Sequence, residues 1–177
     1  MYVKTTFRSS NFQALPVNAP KVPVNSNNYA QDIFNAARTN DTIALASYTN
    51  LDTTDQRGST PLIIAIYNYQ QEAYIQLLKR HAKPDVQDLA GNTALMGACF
   101  KGNTAAISLL LQYKADPNVR NYNNATALIF AATFGHADVV KLLLSKGADK
   151  HIRDRWGKSA LDHAIIQENT EVIALLK

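Results

Sequence analysis

The sequence predicts an all-α solenoid, in which short helix-turn-helix repeats stack side by side and are joined by hairpin-like loops. Three observations lead to this fold class. One template recurs with a constant period of 33 residues. A polar break divides the apolar residues of each copy into two short segments, and six of the seven glycines fall on turn positions. A fixed period is typical of architectures in which each repeat buries its apolar face only against its neighbours.

Each copy opens with a tight turn that leads into a first helix. The openers are Asp55, Asp88, Asn121 and Asp154. The fourth template position carries glycine in three copies and Asn124 in the other, and both residue types tolerate a positive φ. A threonine or serine then precedes the apolar segment, which is the position of a helix N-cap. These N-cap residues are Thr60, Thr93, Thr126 and Ser159.

A second helix follows a short polar break in each copy. The break is marked by pairs such as Gly135-His136, in which His136 is expected to cap the second helix. Leucine runs at 109–111 and 142–144 are predicted to fill the space between neighbouring second helices. Gly147 predicts a left-handed C-cap. His81 and Lys114 stand at the same template position, so strained caps are expected there.

The segment Thr60-Pro61-Leu62 with Ala65, together with its looser copies, resembles the Thr-Pro-Leu-x-x-Ala core of the ankyrin repeat, a family with the same period. The resemblance implies an ankyrin-repeat domain over residues 29–177. This domain would hold a degenerate N-terminal cap repeat and four repeats in the 33-residue register. The predicted boundaries are 29–54 for the cap repeat and 55–87, 88–120, 121–153 and 154–177 for the repeats.

The cap repeat is predicted from a partial match to the template. Ala36-Ala37 precedes Ala131-Ala132 by 95 residues, whereas Asp55 precedes Asp154 by 99, so four residues are missing from the connection. A short-looped helical pair with a polar outer side suits an N-terminal cap. The last repeat is expected to double as the C-terminal cap, because residues 168–171 are polar.

Residues 1–28 differ from the repeats, because they hold three prolines and a run of Asn and Ser. This composition predicts a flexible leader. The alternative is an ordered arm, in which Phe7, Phe12, Leu15 and Val17 dock on the stack or on a partner. The first residues lack the apolar segment of a secretory signal, so the sequence as it stands favours the cytoplasm. A chain from which a signal had been removed would be periplasmic or secreted.

The sequence indicates no enzyme, cofactor or metal site. It lacks a phosphate-binding glycine loop, paired cysteines and a His-Glu-x-x-His motif. Ser159, Asp162 and His163 are the residue types of a nucleophile and its base, but Ser159 matches the N-cap position and Asp162 falls in a first helical turn. Cys99 sits at a small-residue core position, which favours an inert thiol. No stretch reaches the ~20 apolar residues of a membrane span.

The positions at which the repeats differ indicate a binding surface. In the ankyrin family, hairpin tips and the exposed ends of the inner helices form a concave surface that binds partners, and the resemblance implies this role here. Aromatic and basic side chains dominate the set, which holds no acid. These types concentrate binding energy at interfaces. The predicted partner-binding residues are Arg57, Tyr67, Phe100, Lys101, Arg120, Tyr122, Phe134, Arg153, Arg155, Trp156 and Lys158.

The leading hypothesis is therefore a non-catalytic protein–protein interaction scaffold that binds an acidic partner protein through an aromatic and basic concave groove. Short stand-alone ankyrin proteins also act as inhibitors, and the resemblance implies a bacterial inhibitor or immunity-type binder. The alternative, prompted by a formal net charge of +4, is electrostatic binding of nucleic acid or an anionic surface. Nucleic acid is the less favoured partner, because 18 basic residues face 14 acidic ones and no run of Lys and Arg occurs.

Overall fold

The computed structural model describes residues 32–177, and every regular element within that range is a helix. The predicted all-α fold class is confirmed. The leader at 1–28 and the first residues of the predicted cap repeat, 29–31, lie outside the described residues. The repeat boundaries drawn from the sequence stay predictions.

The ten helices of the described range form five consecutive pairs, and we call the first helix of each pair inner and the second outer. Inner helices contact inner helices of neighbouring pairs and outer helices contact outer ones, so the pairs stack in chain order. The inner helices are α1 (Ile33–Thr39), α3 (Pro61–Tyr67), α5 (Ala94–Lys101), α7 (Ala127–Thr133) and α9 (Ala160–Ile166). The outer helices are α2 (Thr42–Ala46), α4 (Gln71–Lys79), α6 (Thr104–Gln112), α8 (Ala137–Ser145) and α10 (Thr170–Leu176).

The last four inner helices begin at the N-caps that the sequence predicts. The hydroxyl oxygen of Thr60 accepts a hydrogen bond from the backbone N–H of Ile63 at 3.3 Å. Thr93 and Thr126 cap α5 and α7 in the same way. Ser159 caps α9 within a reciprocal capping box, in which the N3 carboxylate also accepts from the Ser159 N–H.

The left-handed turn positions lie where the sequence predicts them. Asn124 has a φ of 56°. His81 and Lys114 have φ values of 66° and 64° at the position that Gly147 occupies in a later pair. A residue with a Cβ is strained in this region, so these two C-caps cost stability relative to glycine.

Two glycines show how closely neighbouring pairs approach. Gly97, which is outside the turn positions, lies under the Tyr67 ring, where a Cβ would come within 2.7 Å of the ring carbon Cε2. A Cβ at Gly102 would likewise come within 2.7 Å of the ring carbon Cε1 of His136.

The side chain of His136 does not take the capping role that the sequence predicts. His136 directly precedes α8, but its side chain makes no capping hydrogen bond to that helix, so this prediction is wrong. Its Nε2 instead lies 3.4 Å from the carbonyl oxygen of Phe100 in the preceding pair.

The hydrophobic core extends through the whole stack. Leu77, Leu110 and Leu143 occupy equivalent positions in α4, α6 and α8 and are fully buried. Cys99 in α5 is also fully buried, and burial raises the pKa of its thiol. The thiol therefore stays protonated at neutral pH, which agrees with an inert packed cysteine.

Side chains fasten the first helix pair to the second across their shortened connection. Arg80, directly after α4, donates to the carbonyl oxygen of Leu45 at 2.6 Å and to that of Tyr48. Asn40, which has a φ of 62°, accepts from the backbone N–H of Ala73 at 2.8 Å. These hydrogen bonds hold both ends of the short helix α2 against α4.

A series of side-chain hydrogen bonds joins the loops that follow the outer helices. Asp85 accepts from the backbone N–H of Asp116 at 3.2 Å, and Asn118, at the equivalent position, accepts from that of Asp149 at 2.8 Å. Asn118 also donates to the carbonyl oxygen of Gly147 at 3.0 Å, a bond that an ionised carboxylate cannot make. Burial raises the pKa of Asp85, so its charged form is less stable in the folded protein than in water.

We expect the buried leucines to contribute strongly to stability. Leu110→Ala and Leu143→Ala should each destabilise the protein by ~2–5 kcal/mol, because each leaves a cavity between neighbouring outer helices. Cys99→Ala removes a single heavy atom and should cost less. Equilibrium urea denaturation of the three variants measures these changes, and unchanged midpoints for both leucine variants would contradict the packing described.

Asp85→Asn should stabilise the protein at pH 7. The folded pKa of Asp85 is raised above its unfolded value, so the ionised side chain opposes folding above the folded pKa. This cost disappears as the pH falls below the pKa that Asp85 has in the unfolded chain. At pH 7 the urea midpoint of Asp85→Asn should therefore exceed that of the parent protein. At a pH of about 4 the difference between the two midpoints should be smaller. Asn118→Asp is the matched control and should lower the midpoint at pH 7; a lower midpoint for Asp85→Asn would contradict this account.

Candidate partner-binding surface

The hairpin tips are built by an Asp or Asn side chain that binds the backbone of its own turn. Asp154 Oδ1 accepts from the N–H groups of Trp156 and Lys158, both at 2.9 Å. The same pair of bonds recurs in the earlier turns, at Asp55, Asp88 and Asn121. These bonds fix the tip backbone, so the tip side chains start from defined positions.

Neighbouring tips are also joined to each other by one backbone hydrogen bond at each junction. The bonds run from Leu89 N–H to Arg57 O at 3.0 Å, from Tyr122 N–H to Ala90 O at 3.1 Å and from Arg155 N–H to Asn123 O at 2.8 Å. The tips therefore form one continuous row along the stack. We call this the tip row.

The predicted partner-binding residues fall into two groups. The tip group is exposed apart from the half-buried Lys158, and it consists of Arg57, Arg120, Tyr122, Arg153, Arg155, Trp156 and Lys158. The inner-end group lies at the C-terminal ends of inner helices, and it consists of Tyr67, Phe100, Lys101 and Phe134. Tyr122 and Trp156 leave 71% and 56% of their surface exposed, so the core does not account for these aromatics.

The aromatic rings of the inner-end group form one contact cluster. The Phe100 ring packs edge to face against Phe134, with ring centroids 4.7 Å apart, and its centroid lies 6.3 Å from that of Tyr67. Burial raises the pKa of Tyr67 and the Asp88 carboxylate raises it further, so the phenol stays protonated. Three consecutive helix pairs thus contribute to one aromatic surface.

Lys101 places its ammonium group among these aromatic faces. Its Nζ lies 5.9 Å from the ring centroids of Tyr67 and Phe100 and 5.3 Å from that of Tyr69. Cation–π attraction of this kind restrains an ammonium group without using its N–H donors. Lys101 can therefore donate to an acceptor on a partner from a restrained position.

Tyr69 belongs to this surface but is missing from the predicted set. It is 55% exposed, has a φ of 56°, and donates its hydroxyl to the Lys101 carbonyl oxygen at 3.3 Å. The equivalent positions in the next two pairs are Gly102 and Gly135, which adopt a positive φ without a side chain. A tyrosine at a glycine position of the template is the signal by which the sequence could have identified it.

Trp156 and Arg155 form a cation–π pair at the last tip. The guanidinium carbon of Arg155 lies 5.2 Å from the Trp156 ring centroid, and its Nη1 donates to Asn123 Oδ1 at 2.9 Å. Because Asn123 belongs to the preceding tip, the hydrogen bond holds the pair in line with the tip row.

Arg153 is engaged within the chain. It donates to the carbonyl oxygen of Gly157 at 2.7 Å and forms an ion pair with Asp162 at 3.0 Å. Hydrogen bonds from Ser159 lower the pKa of Asp162, and Arg153 lowers it further. This carboxylate lies beside a set that contains no acid, so Arg153 adds less net charge to the surface than the sequence suggests.

Ser159, Asp162 and His163 do not form a catalytic triad. Ser159 Oγ donates to Asp162 at 2.8 Å in the capping box, whereas the buried His163 has its Nε2 2.8 Å from Asp154 Oδ2. The histidine thus braces the turn that Asp154 forms. Within residues 32–177, no group of three or more His, Cys, Asp or Glu side chains could hold a metal ion. No helix in that part of the chain is long and apolar enough to cross a membrane.

The resemblance drawn from the sequence is supported by a family model. A model described as ankyrin repeats matches the chain in three overlapping copies, at residues 33–121, 68–154 and 115–177. Together these matches cover 33–177, which is most of the chain. No curated protein matches the chain.

Tyr69→Gly and Glu168→Gly together measure what the Tyr69 ring contributes. Both residues occupy the same template position, with φ values of 56° and 55°, so glycine relieves the same backbone strain. Glu168→Gly should raise the free energy of unfolding by about 1 kcal/mol. The increase in the free energy of unfolding should be about 0.5–1 kcal/mol smaller for Tyr69→Gly, because this substitution also removes the contact with Lys101. Urea denaturation measures both changes, and equal gains would contradict a stabilising contact.

Proposed function

The chain belongs to the ankyrin repeat family, and from that premise we propose that it is a non-catalytic scaffold that binds an acidic protein through its tip group and inner-end group. Ankyrin repeats generally mediate protein–protein interactions and are typically not enzymes. Beyond this general role, we propose that the partner is acidic and that the tip group and the inner-end group bind it.

The observation that carries the proposal is an aromatic and basic surface built along the continuous tip row. Asp and Asn side chains fix each turn, and backbone hydrogen bonds join each tip to the next. A surface held in this way loses less conformational entropy when a partner binds. We expect Trp156 and the Phe100–Phe134 pair to be its anchors, because aromatic side chains dominate the energy of many interfaces.

The charge of this surface favours an acidic partner. Among the basic residues of the tip group and the inner-end group, Arg153 alone forms an ion pair with a carboxylate within residues 32–177. Positive charge on the other basic members remains available to a partner. Complementary charge speeds the encounter of two proteins and fixes their relative orientation. These basic members are Arg57, Lys101, Arg120, Arg155 and Lys158.

An inhibitory role extends the proposal. A fixed row of tips that covers an acidic surface of an enzyme would mask its active site, which is how a bacterial inhibitor or immunity-type protein acts. The activity of the captured partner, measured with and without the chain, tests this extension. Undiminished activity in the complex would exclude it and leave the scaffold role standing.

The binding surface is tested by substitutions in its two groups. Trp156→Ala and Phe100→Ala should each weaken the complex by ~2 kcal/mol or more, because buried aromatic anchors dominate interfaces. Arg155 and Lys158 are expected nearer the rim of the interface. Arg155→Ala and Lys158→Ala should therefore change mainly the association rate and its salt dependence. Titration calorimetry and stopped-flow measurements with the partner captured from the native host give both quantities. Urea midpoints of all variants separate a loss of binding from a loss of stability, which Phe100→Ala also causes because Phe100 packs against the core.

Four exposed residues of the outer helices and their ends serve as controls, and these are Lys79, Lys141, Lys146 and Glu171. If alanine at these positions abolished binding while Trp156→Ala and Phe100→Ala had no effect, the proposed surface would be wrong. Single-stranded DNA at two salt concentrations tests the electrostatic alternative. Binding that weakens steeply with salt would favour a phosphate backbone over an acidic protein.

A further inference from the structure

The second, third and fourth helix pairs place one lysine among aromatic rings. Lys101 is the last residue of α5 in the third pair, and Tyr67 and Tyr69 come from the second pair. Phe100 and Phe134 extend the row of rings through the third and fourth pairs. We call these five residues the lysine subsite.

Lys101 brings a charge to a template position that carries neutral side chains in the other repeats. The equivalent residues are Asn68, Phe134 and Gln167. Asn68 turns its amide back onto its own helix, where it donates to the carbonyl oxygen of Ile64 at 2.8 Å. Phe134 leaves 42% of its surface exposed. A positive charge and an exposed aromatic ring therefore stand at equivalent positions of neighbouring pairs.

The rings restrain the ammonium group of Lys101 and leave its charge uncompensated. Its Nζ lies 5.3 Å from the ring centroid of Tyr69 and 5.9 Å from those of Tyr67 and Phe100. In the described part of the chain, no carboxylate forms an ion pair with it. Asp88 Oδ1 is held by its own turn, where it accepts from two backbone N–H groups at 2.8 Å. Aromatic faces attract a cation without accepting conventional hydrogen bonds, so the ammonium donors remain for an oxygen acceptor.

The arrangement of the rings favours a carboxylate over a nucleic acid as that acceptor. The bases of a single strand stack on the faces of aromatic side chains. Here Lys101 lies over the faces of three rings, and Phe100 meets Phe134 edge to face at an interplanar angle of 85°. One ammonium group also matches the single charge of a carboxylate, whereas a polynucleotide carries a charge on every phosphate.

We propose that the lysine subsite binds an acidic side chain of the partner that has an apolar side chain about two residues away. This inference rests on the proposed function and specifies the chemistry of the segment that the partner presents. Packed helices lie about 8–10 Å apart, and side chains on one face of an extended segment recur about every 7 Å. Long side chains close the remaining distance. The carboxylate then lies against Lys101, while the apolar side chain covers the exposed ring of Phe134.

NMR titration of the isotope-labelled, full 177-residue chain with two peptides tests this inference. The first peptide is N-acetyl-Glu-Ser-Leu-amide, and the second carries Gln in place of Glu, which removes the charge and keeps the shape. The Glu peptide should shift the amide resonances of Tyr69, Lys101 and Gly135. It should bind about three- to fivefold more tightly than the Gln peptide. Peptide concentrations up to about 20 mM cover the weak affinity of so short a ligand.

Three variants separate the charge of Lys101 from its packing. Lys101→Met keeps an unbranched apolar stem and removes the charge, so it should abolish the preference for the Glu peptide and leave the affinity for the Gln peptide unchanged. Lys101→Arg keeps the charge and should keep the preference. Lys141→Met is the matched control, because Lys141 is an exposed lysine of the outer helix α8, and the preference should persist in it.

Equal binding of the two peptides, or no shift with either, would overturn the inference. A preference that survives in Lys101→Met would overturn it as well. Single-stranded oligothymidylate is the third ligand, and tighter binding of this ligand at the same resonances would assign the subsite to nucleic acid instead.

The affinity of the captured partner for Trp156→Ala tests the proposed function separately, because Trp156 lies outside the lysine subsite. A weakened complex together with equal binding of the two peptides would overturn the subsite alone. A preference for the Glu peptide together with an unchanged Trp156→Ala complex would support the subsite and contradict the larger binding surface.

Discussion

Contact between successive helix pairs is the constraint on which the rest of the structure depends. Helices of five to nine residues are too short to persist alone in water, so each depends on burial against its neighbours. Leu77, Leu110 and Leu143 make the same buried contact in three consecutive outer helices. A contact that recurs in successive pairs requires a constant chain length between its members. The period of 33 residues is the expression of that requirement in the sequence.

The same constraint determines which residues are free to serve a function. Positions between pairs must be apolar or small, whereas exposed tip residues contribute little to the core and can differ between repeats. At the inner-helix ends, Tyr67 and Phe100 also pack partly against the core. The tip row supplies a fixed backbone for the varied side chains. Tyr69 shows that this freedom has a cost, because its left-handed conformation is one that glycine adopts without strain in the next two pairs. Strain of this kind persists when surrounding contacts stabilise it, and the Tyr69 hydroxyl donates to the carbonyl oxygen of Lys101.

Features determined by nearby residues in the chain could be predicted from the sequence. The N-caps, the positive φ at His81 and the burial of Leu110 all follow from the template itself. His136 was expected to cap its own helix, but its ring lies against the preceding pair instead. The engagement of Arg153 with Asp162 also depends on neighbours in space, which a single sequence does not specify. The partner-binding set stays a prediction, because its members are defined by what they would touch outside the chain.

Hydrogen–deuterium exchange, compared between the free chain and its complex with the captured partner, tests the central claim most directly. Binding should slow amide exchange at the tips, in segments 120–125 and 153–158, and at the inner-helix ends near Phe100. Exchange in the outer helices α4, α6 and α8 should change little, because these helices lie on the opposite side of each pair. Protection confined to the outer helices, with unchanged exchange at the tips, would contradict binding through the tip row.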